Sequence, residues 1–556
     1  MPFAIILHCH TNSVANVEKQ KSTGRPLDRD LQPTGLVKGN PLRYVIIGSS
    51  TETRVPANVI SLLDWHRQEL SMTSIDERLL ESKMIQIEQA RAWSPRVISK
   101  FETLIRTGDE VSIFRANPLA FARDRGVAEP EAIDLFLHAA RTGLVDLHWD
   151  ILCPHSGLVL ESFGKLRALR SHFVCGLCDI DGQTDLDDFI QASFSVSPQV
   201  RRLALHDVDS LSIEDLHWKL KFADSGRLPG GQTRFVDVLR TLVRGMTYLP
   251  AGVTTTLQTE IKSGALSGVN VQTQAGFTLP VVDSSEPPPS TPTIIRIAYD
   301  GQRFTSAVSA VPSGGTVFEI SNTGTKRGSV LLINWPPEIV AMPEKPMLEF
   351  DPYVSGGMLL TRQTFRKLFR SERVDEEEGL GVRQVTLLFT DLKGSTALYE
   401  HLGDLNAYAL VREHFALLDA VAQRHAGAIV KTIGDAVMAA FSRPVDAVAA
   451  ALQMLQGIGQ FNFEREQPAI ILKMGAHCGP SIAVTLNENL DYFGQTVNIA
   501  ARVQSFADAG EICLTEALYT APGVRELLTG HDVEEFDAPL RGVEGNARVY
   551  RITGRS

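Results

Sequence analysis

Two apolar six-residue runs, Ala428-Ile429-Val430-Lys431-Thr432-Ile433 and Ala436-Val437-Met438-Ala439-Ala440-Phe441, are separated only by Gly434-Asp435. A two-residue gap of that composition dictates an antiparallel hairpin, because Gly accepts the positive φ of a tight reversal and Asp tolerates it. The hairpin therefore carries a carboxylate at its tip. A third run, Val385-Thr386-Leu387-Leu388-Phe389, reads as a strand by its β-branched and apolar content and leads into Thr390-Asp391, with Gly394-Ser395-Thr396 beyond. Side by side, the strands bring Asp391 and Asp435 together. Two carboxylates at one place repel each other unless a cation lies between them, and a divalent metal is the expected answer.

The turn after Asp391 adds a second kind of chemistry. A Gly-Ser-Thr loop opening a helix leaves backbone N–H groups unpaired, and such groups hold phosphate oxygens, which makes Thr390, Gly394, Ser395 and Thr396 candidate substrate contacts. Further on, Asp491-Tyr492-Phe493-Gly494-Gln495-Thr496-Val497-Asn498-Ile499-Ala500-Ala501-Arg502 places Asn498 and Arg502 four residues apart on a helical pattern. Both side chains then leave one face of the helix, and an amide beside a guanidinium suits a phosphorus centre whose oxygens gain charge in the transition state. Lys431 and Asp491 supply a donor and an acceptor, which matches the adenine edge; guanine reverses that pattern and calls for a Glu with a small polar residue. In a two-metal arrangement one ion acidifies the attacking hydroxyl while the other neutralises the leaving phosphate.

Alone, each motif has an ordinary reading: Asp391 as a helix cap, Gly434-Asp435 as a turn, Asn498 and Arg502 as a solvated face. Together and in this order they resemble the catalytic domain of class III adenylate and guanylate cyclases. The resemblance covers 383–552 and extends to Gly475-Ala476-His477-Cys478-Gly479 and Leu540-Arg541-Gly542-Val543. It implies a ferredoxin-like α+β fold, an antiparallel-rich sheet with covering helices. It implies that Asp391 and Asp435 hold two Mg2+ or Mn2+ ions per site, that Lys431 and Asp491 bind the base, and that Asn498 and Arg502 stabilise the transition state. The implied reaction is attack of the ribose 3′-oxygen of ATP on the α-phosphate, giving 3′,5′-cyclic AMP and pyrophosphate, at sites shared by two head-to-tail domains of a homodimer. The alternatives are a guanylate cyclase and a catalytically silent nucleotide-binding regulator. Many relatives place a further lysine near 542–545, where this chain has Val543 and Glu544; Arg541 and Arg548 are the candidates to replace it.

At 556 residues the chain exceeds one hydrophobic core and is expected to divide into about three to five domains. We expect a multidomain α+β protein: a mobile tail at 1–55, a helical, winged-helix-like module at 56–150, and a zinc-ribbon-like knuckle with a β-rich segment at 151–283. A Pro- and Ser-rich linker at 284–292, a small β-sandwich at 293–350, a transmitter at 351–382 and the catalytic domain at 383–556 follow. The N-terminal half resembles an uncharacterised domain found before some bacterial cyclase domains. Its knuckle rests on Cys175-Gly176-Leu177-Cys178 and on Cys153-Pro154-His155-Ser156 some twenty residues earlier. Ser156 stands where a zinc ribbon would have its fourth cysteine, so Cys153, His155, Cys175 and Cys178 are the candidate ligands of a structural zinc. Cys478 and Cys513 are expected as small buried residues and His477 as a packed strand histidine. A net charge of −11 argues against a nucleic-acid partner. No apolar run approaches the roughly 18 residues that span a bilayer, and the first residues lack a secretory pattern, so we expect a soluble, cytoplasmic protein with no membrane partner.

Overall fold

Apolar residues at helical spacing build the first layer. Helix α1 (Glu77–Ala90) buries Leu80, Met84 and Ile87, and Asp76 caps it by accepting from the Leu79 amide. Helices α2 (Val97–Thr107), α3 (Pro118–Arg125) and α4 (Glu129–Thr142) follow, with Asn117 capping α3 and a left-handed glycine ending both α3 and α4. Phe101 meets Phe121 and Phe136 edge to face, with ring centroids 6.0 and 5.0 Å apart. This computed structural model describes residues 75–282, 292–342, 346–375, 379–465, 470–540 and 546–553. The expected tail at 1–55 lies outside them, as do the start of the helical module and 541–545 with Arg541, Val543 and Glu544. Of two contact units, Met1–Leu63 is not described; all described residues belong to the other, Asp64–Ser556. No described helix is long and apolar enough to cross a membrane.

After α4 the period changes from helical to alternating. Strands β1 (Val145–Leu152), β2 (Val159–Phe163) and β5 (Ile190–Val196) form a sheet in the order β2-β1-β5, and the hairpin of β3 (His172–Cys175) and β4 (Ile180–Gln183) carries Cys175 and Cys178 at its turn. Next come two sheets around one apolar core that includes Leu249, Ile297, Phe318 and Leu332. One contains β6 (Val243–Leu249), β8 (Gly264–Val269), β9 (Gly276–Val282), β12 (Val311–Pro312) and β14 (Gly328–Trp335). The other contains β7 (Thr254–Ile261), β10 (Thr293–Tyr299), β11 (Phe304–Ser306) and β13 (Gly314–Asn322). The expected linker at 284–292 falls almost wholly outside the described residues, yet the strands on its two sides pair: Val281 with Val311, and Thr259 with Thr316. The expected break therefore runs through these sheets, and strands from 243 onward belong with those after 293. Alternation could reveal each strand but not which partner lies across it.

The C-terminal sheet has eight strands. Its order is β16 (Ala428–Ile433), β17 (Ala436–Phe441), β15 (Leu380–Leu392), β18 (Leu472–Leu486), β20 (Glu511–Thr515), β22 (Asn546–Thr553) and β21 (Asp532–Pro539), with β19 (Asn489–Phe493) on the far end of β18. All its pairings are antiparallel except β18 with β20. Helices α7 (Asp404–Arg424) and α8 (Pro444–Phe463) bury Leu418, Val448 and Met454 against Leu388, Val437 and Ala439 on one face. On the other face Leu387, Phe389 and Met438 join a cluster that reaches back to Phe365 and Trp149.

Several hydrogen bonds tie the N-terminal half to this sheet. Helix α5 (Gln363–Leu368) receives the Ile429 amide on Gln363 Oε1 at 2.9 Å and sends Arg366 Nη1 to the Leu490 carbonyl at 2.8 Å. Val374 and Thr485 exchange two hydrogen bonds, of 2.9 and 3.0 Å. Strand β15 has a bulge between Val382 and Val385, and a bulge leaves ladder donors unpaired. Asp187, in the loop after β4, accepts from the Arg383 amide at 2.7 Å and the Gln384 amide at 2.9 Å.

Candidate nucleotide site

The hairpin read from the sequence is present: β16 pairs with β17 around Gly434, whose φ is +63°. Thr390 lies opposite Val437, so one further step along β15 and β17 sets Asp391 beside Ala436 and the hairpin tip with Asp435. The Asp435 Oδ2 atom is buried and has no protein partner among the described residues. Asp391 Oδ2 meets Lys473 Nζ at 2.8 Å, and the register pairs those two residues across β15 and β18. One carboxylate oxygen lacks a counterpart while its neighbour is held by a cation, and this donor set fits a hard divalent metal. Near the tip, Tyr399 has its phenol pKa raised, by burial first and then by the charge of Asp435.

Helix α6 (Ser395–Leu402) begins after Gly394, which sits at φ +75°. No side chain caps it, so the first-turn amides of Ser395 and Thr396 remain available to an anion. Thr390 is buried and its Oγ1 accepts from the Val437 amide at 3.2 Å, which gives it a place in the sheet and not in the phosphate loop. Lys393, exposed in the same turn, pairs with Asp508.

The other group lies on different elements. Lys431 Nζ donates to Asp491 Oδ2 at 2.6 Å; Asp491 is 7% exposed, and its Oδ1 takes the Tyr492 amide at 2.8 Å. Asn498 and Arg502 stand on α9 (Gln495–Gln504), and neither side chain has a hydrogen bond or ion pair among the described residues. The helix rests close on β18 at Gly475, where any Cβ would overlap the Gln504 backbone nitrogen. No hydrogen bond or ion pair among the described residues joins Asp391 or Asp435 to Lys431, Asp491, Asn498 or Arg502.

His477 is half-buried on β18, with Nδ1 2.8 Å from Thr515 Oγ1, and loss of solvent there lowers its pKa to about 4. Cys478 and Cys513 are buried, as their type suggests. Arg548 is engaged by Glu535 and Asp537. Sequence reasoning missed Lys473, although a lone cation in the apolar run Ile470-Ile471-Leu472-Lys473-Met474 was a visible signal. It missed Gln363 and Arg366 too, and nothing local marks them.

In the N-terminal half the structure gathers the sulfurs of Cys153, Cys175 and Cys178 within 4.8 Å of one another. It does not bring His155 to them: that ring turns outward, its Nδ1 3.2 Å from the Pro346 carbonyl.

Residues 81–367, just over half of the chain, match a family of unknown function (DUF5939). The chain belongs to that family. Residues 380–553 match the adenylate and guanylate cyclase catalytic domain, so this member joins its family region to a class III cyclase domain. A receptor-type adenylate cyclase (ESAG 4) of Trypanosoma brucei brucei is 27% identical over 207 residues, 31% of this chain and 17% of its own length. Guanylate cyclase 32E of Drosophila melanogaster is 27% identical over 183 residues, 31% of this chain and 16% of its own. The chain thus spans less than a fifth of either relative. Among solved structures, an adenylate cyclase of Trypanosoma brucei is 27% identical, with 31% of this chain and 90% of that chain covered at a TM-score of 0.27. For the DUF5939 member described here, the cyclase domain is the part with known chemistry.

Proposed function

We propose that the protein is an adenylate cyclase that converts ATP to 3′,5′-cyclic AMP and pyrophosphate, and that its DUF5939 half controls the rate. The observation that carries the choice of base is the Lys431–Asp491 pair, a donor and an acceptor 2.6 Å apart with the carboxylate buried. Lys431 Nζ turns to adenine N1, and Asp491 Oδ2 accepts from the 6-amino group. A guanine would set its own N1–H against the ammonium and its carbonyl against the carboxylate, leaving buried groups unpaired.

Asp391 and Asp435 would hold two Mg2+ or Mn2+ ions, which when bound would neutralise the triphosphate and acidify the ribose 3′-hydroxyl. Lys473, whose ammonium lies 2.8 Å from Asp391 Oδ2, would counter triphosphate charge together with the first-turn amides of Ser395 and Thr396. As the 3′-oxygen bonds to the α-phosphorus, the bond to the pyrophosphate oxygen breaks. Arg502 and Asn498 donate to the oxygens that gain charge. No side chain at the site is a ready base, so the 3′-hydroxyl proton passes to solvent. No hydrogen bond or ion pair among the described residues joins the carboxylate pair to the other four groups, and we assign the two sets to opposite subunits of a head-to-tail homodimer with two equivalent sites.

The test uses the purified full chain with ATP or GTP and Mg2+ or Mn2+, with the product identified by chromatography. ATP should be preferred in kcat/KM by at least about tenfold, the effect of one well-placed hydrogen-bond pair. Lys431→Glu combined with Asp491→Ser should move the preference toward GTP. Equal use of both nucleotides, or unchanged ATP preference in the double variant, would undo the assignment.

A further inference from the structure

The sulfurs of Cys153 and Cys178 are 3.8 Å apart, much too far for a disulfide, and Cys175 completes a triangle within 4.8 Å. All three are buried. A tetrahedral zinc site with Zn–S bonds of about 2.3 Å has ligand-to-ligand edges of about 3.8 Å, which is the Cys153–Cys178 separation, and the third sulfur lies within 4.8 Å of both.

The fourth corner is visible as well. Two turns of the same design face each other: Cys153-Pro154-His155-Ser156 followed by Gly157 at φ +65°, and Cys175-Gly176-Leu177-Cys178 followed by Asp179 at φ +53°. In that correspondence Ser156 occupies the position of Cys178. Its side chain is buried, and Oγ lies 3.7 Å from Cys175 Sγ. His155 points away to Pro346. The three thiols and one hydroxyl therefore converge on one point.

We propose that Cys153, Cys175 and Cys178 bind one zinc ion through their thiolates, with the fourth corner at the Ser156 hydroxyl. Three thiolates and an oxygen hold zinc less firmly than four thiolates, which makes the ion exchangeable. The site also has a mechanical position. Gly176, at the tip of the β3–β4 turn, packs so closely on Gln274 and Gly276 of the neighbouring sheets that a Cβ on either glycine would overlap the opposite backbone. From the other end, β4 leads directly to Asp187, which holds the bulge of β15. Loss of the ion would loosen the segment that grips the catalytic sheet.

The test is metal binding by the purified full chain. Loading with Zn2+ followed by gel filtration should leave one zinc per chain, and Co2+ loading should give the thiolate charge-transfer and intense visible bands of a tetrahedral site. Cys175→Ser should lose both. Because that variant can fail to fold, Ser156→Cys serves as the second arm: it completes a four-thiolate site and should tighten zinc at least about tenfold in chelator competition. Substoichiometric zinc with no cobalt bands in the wild-type chain would overturn the proposal. So would a Cys153–Cys178 disulfide in the purified protein, or unchanged affinity in Ser156→Cys.

Discussion

Single residues show how far local chemistry reaches. His414 on α7 is fully buried, with neither ring nitrogen bonded among the described residues, and burial lowers its pKa to about 4. His477 is lowered to about 4 for the same reason. Both stay neutral in the fold at pH values where the unfolded imidazole, with its ordinary pKa of 6.5, is already protonated. The unfolded chain binds the extra protons, so stability is full above pH 6.5 and falls as the pH drops toward 4, by on the order of 3 kcal/mol per histidine at the limit. Urea midpoints at neutral and mildly acidic pH should show this loss. His414→Leu should narrow it and raise neutral-pH stability by about 1 kcal/mol, because a buried imidazole without partners is removed. At the candidate site, Asp435→Asn keeps the shape of the hairpin tip but removes the carboxylate charge proposed to hold metal. It should cut cyclase activity by at least about a hundredfold with an unchanged melting temperature.

At the next scale, elements position the candidate groups. Helix α5 holds β16 through Gln363 and β19 through Arg366, and those two strands bear Lys431 and Asp491. Arg366→Ala should therefore raise KM for ATP more than it lowers kcat, because it frees the strand that carries Asp491, proposed to meet the base, without touching the reacting atoms. Steady-state kinetics separate the two effects, and equal losses in both would count against α5 as a positioning element. The bulge of β15 is the second grip. Asp187→Ala leaves the Arg383 and Gln384 amides without their acceptors, at a cost of roughly 1–2 kcal/mol. Hydrogen exchange at those two amides should accelerate selectively, and Asp187→Asn, with one acceptor oxygen, should fall between.

For the whole molecule the decisive question is which chain completes which site. If each site takes Asp391 and Asp435 from one subunit and the other four groups from its partner, two defective chains should rescue each other. Asp391→Asn and Arg502→Ala variants, each inactive alone, should regain about a quarter of wild-type activity on equal mixing: half of the dimers are mixed, and each mixed dimer has one intact site. No recovery after verified subunit exchange would place the full site in one chain.

Much of the catalytic region was legible in the sequence because its chemistry is local. A two-residue Gly-Asp turn, a strand ending in a carboxylate and two polar groups one helical turn apart are set by backbone sterics and helical period, and the structure has each of them where expected. The Lys431–Asp491 contact joins residues 60 positions apart, and only the sheet brings them together. The knuckle divides in the same way: its cysteines stood out by spacing, but the choice between His155 and Ser156 at the open corner depended on which way a turn faces. The strands on both sides of 284–292 pair across a segment whose composition marks a break, because ladder partners are chosen by packing and not by the residues between them. Composition and period determined the elements and their chemistry; long-range packing decided which elements meet, and with them the grip of the DUF5939 region on the cyclase sheet.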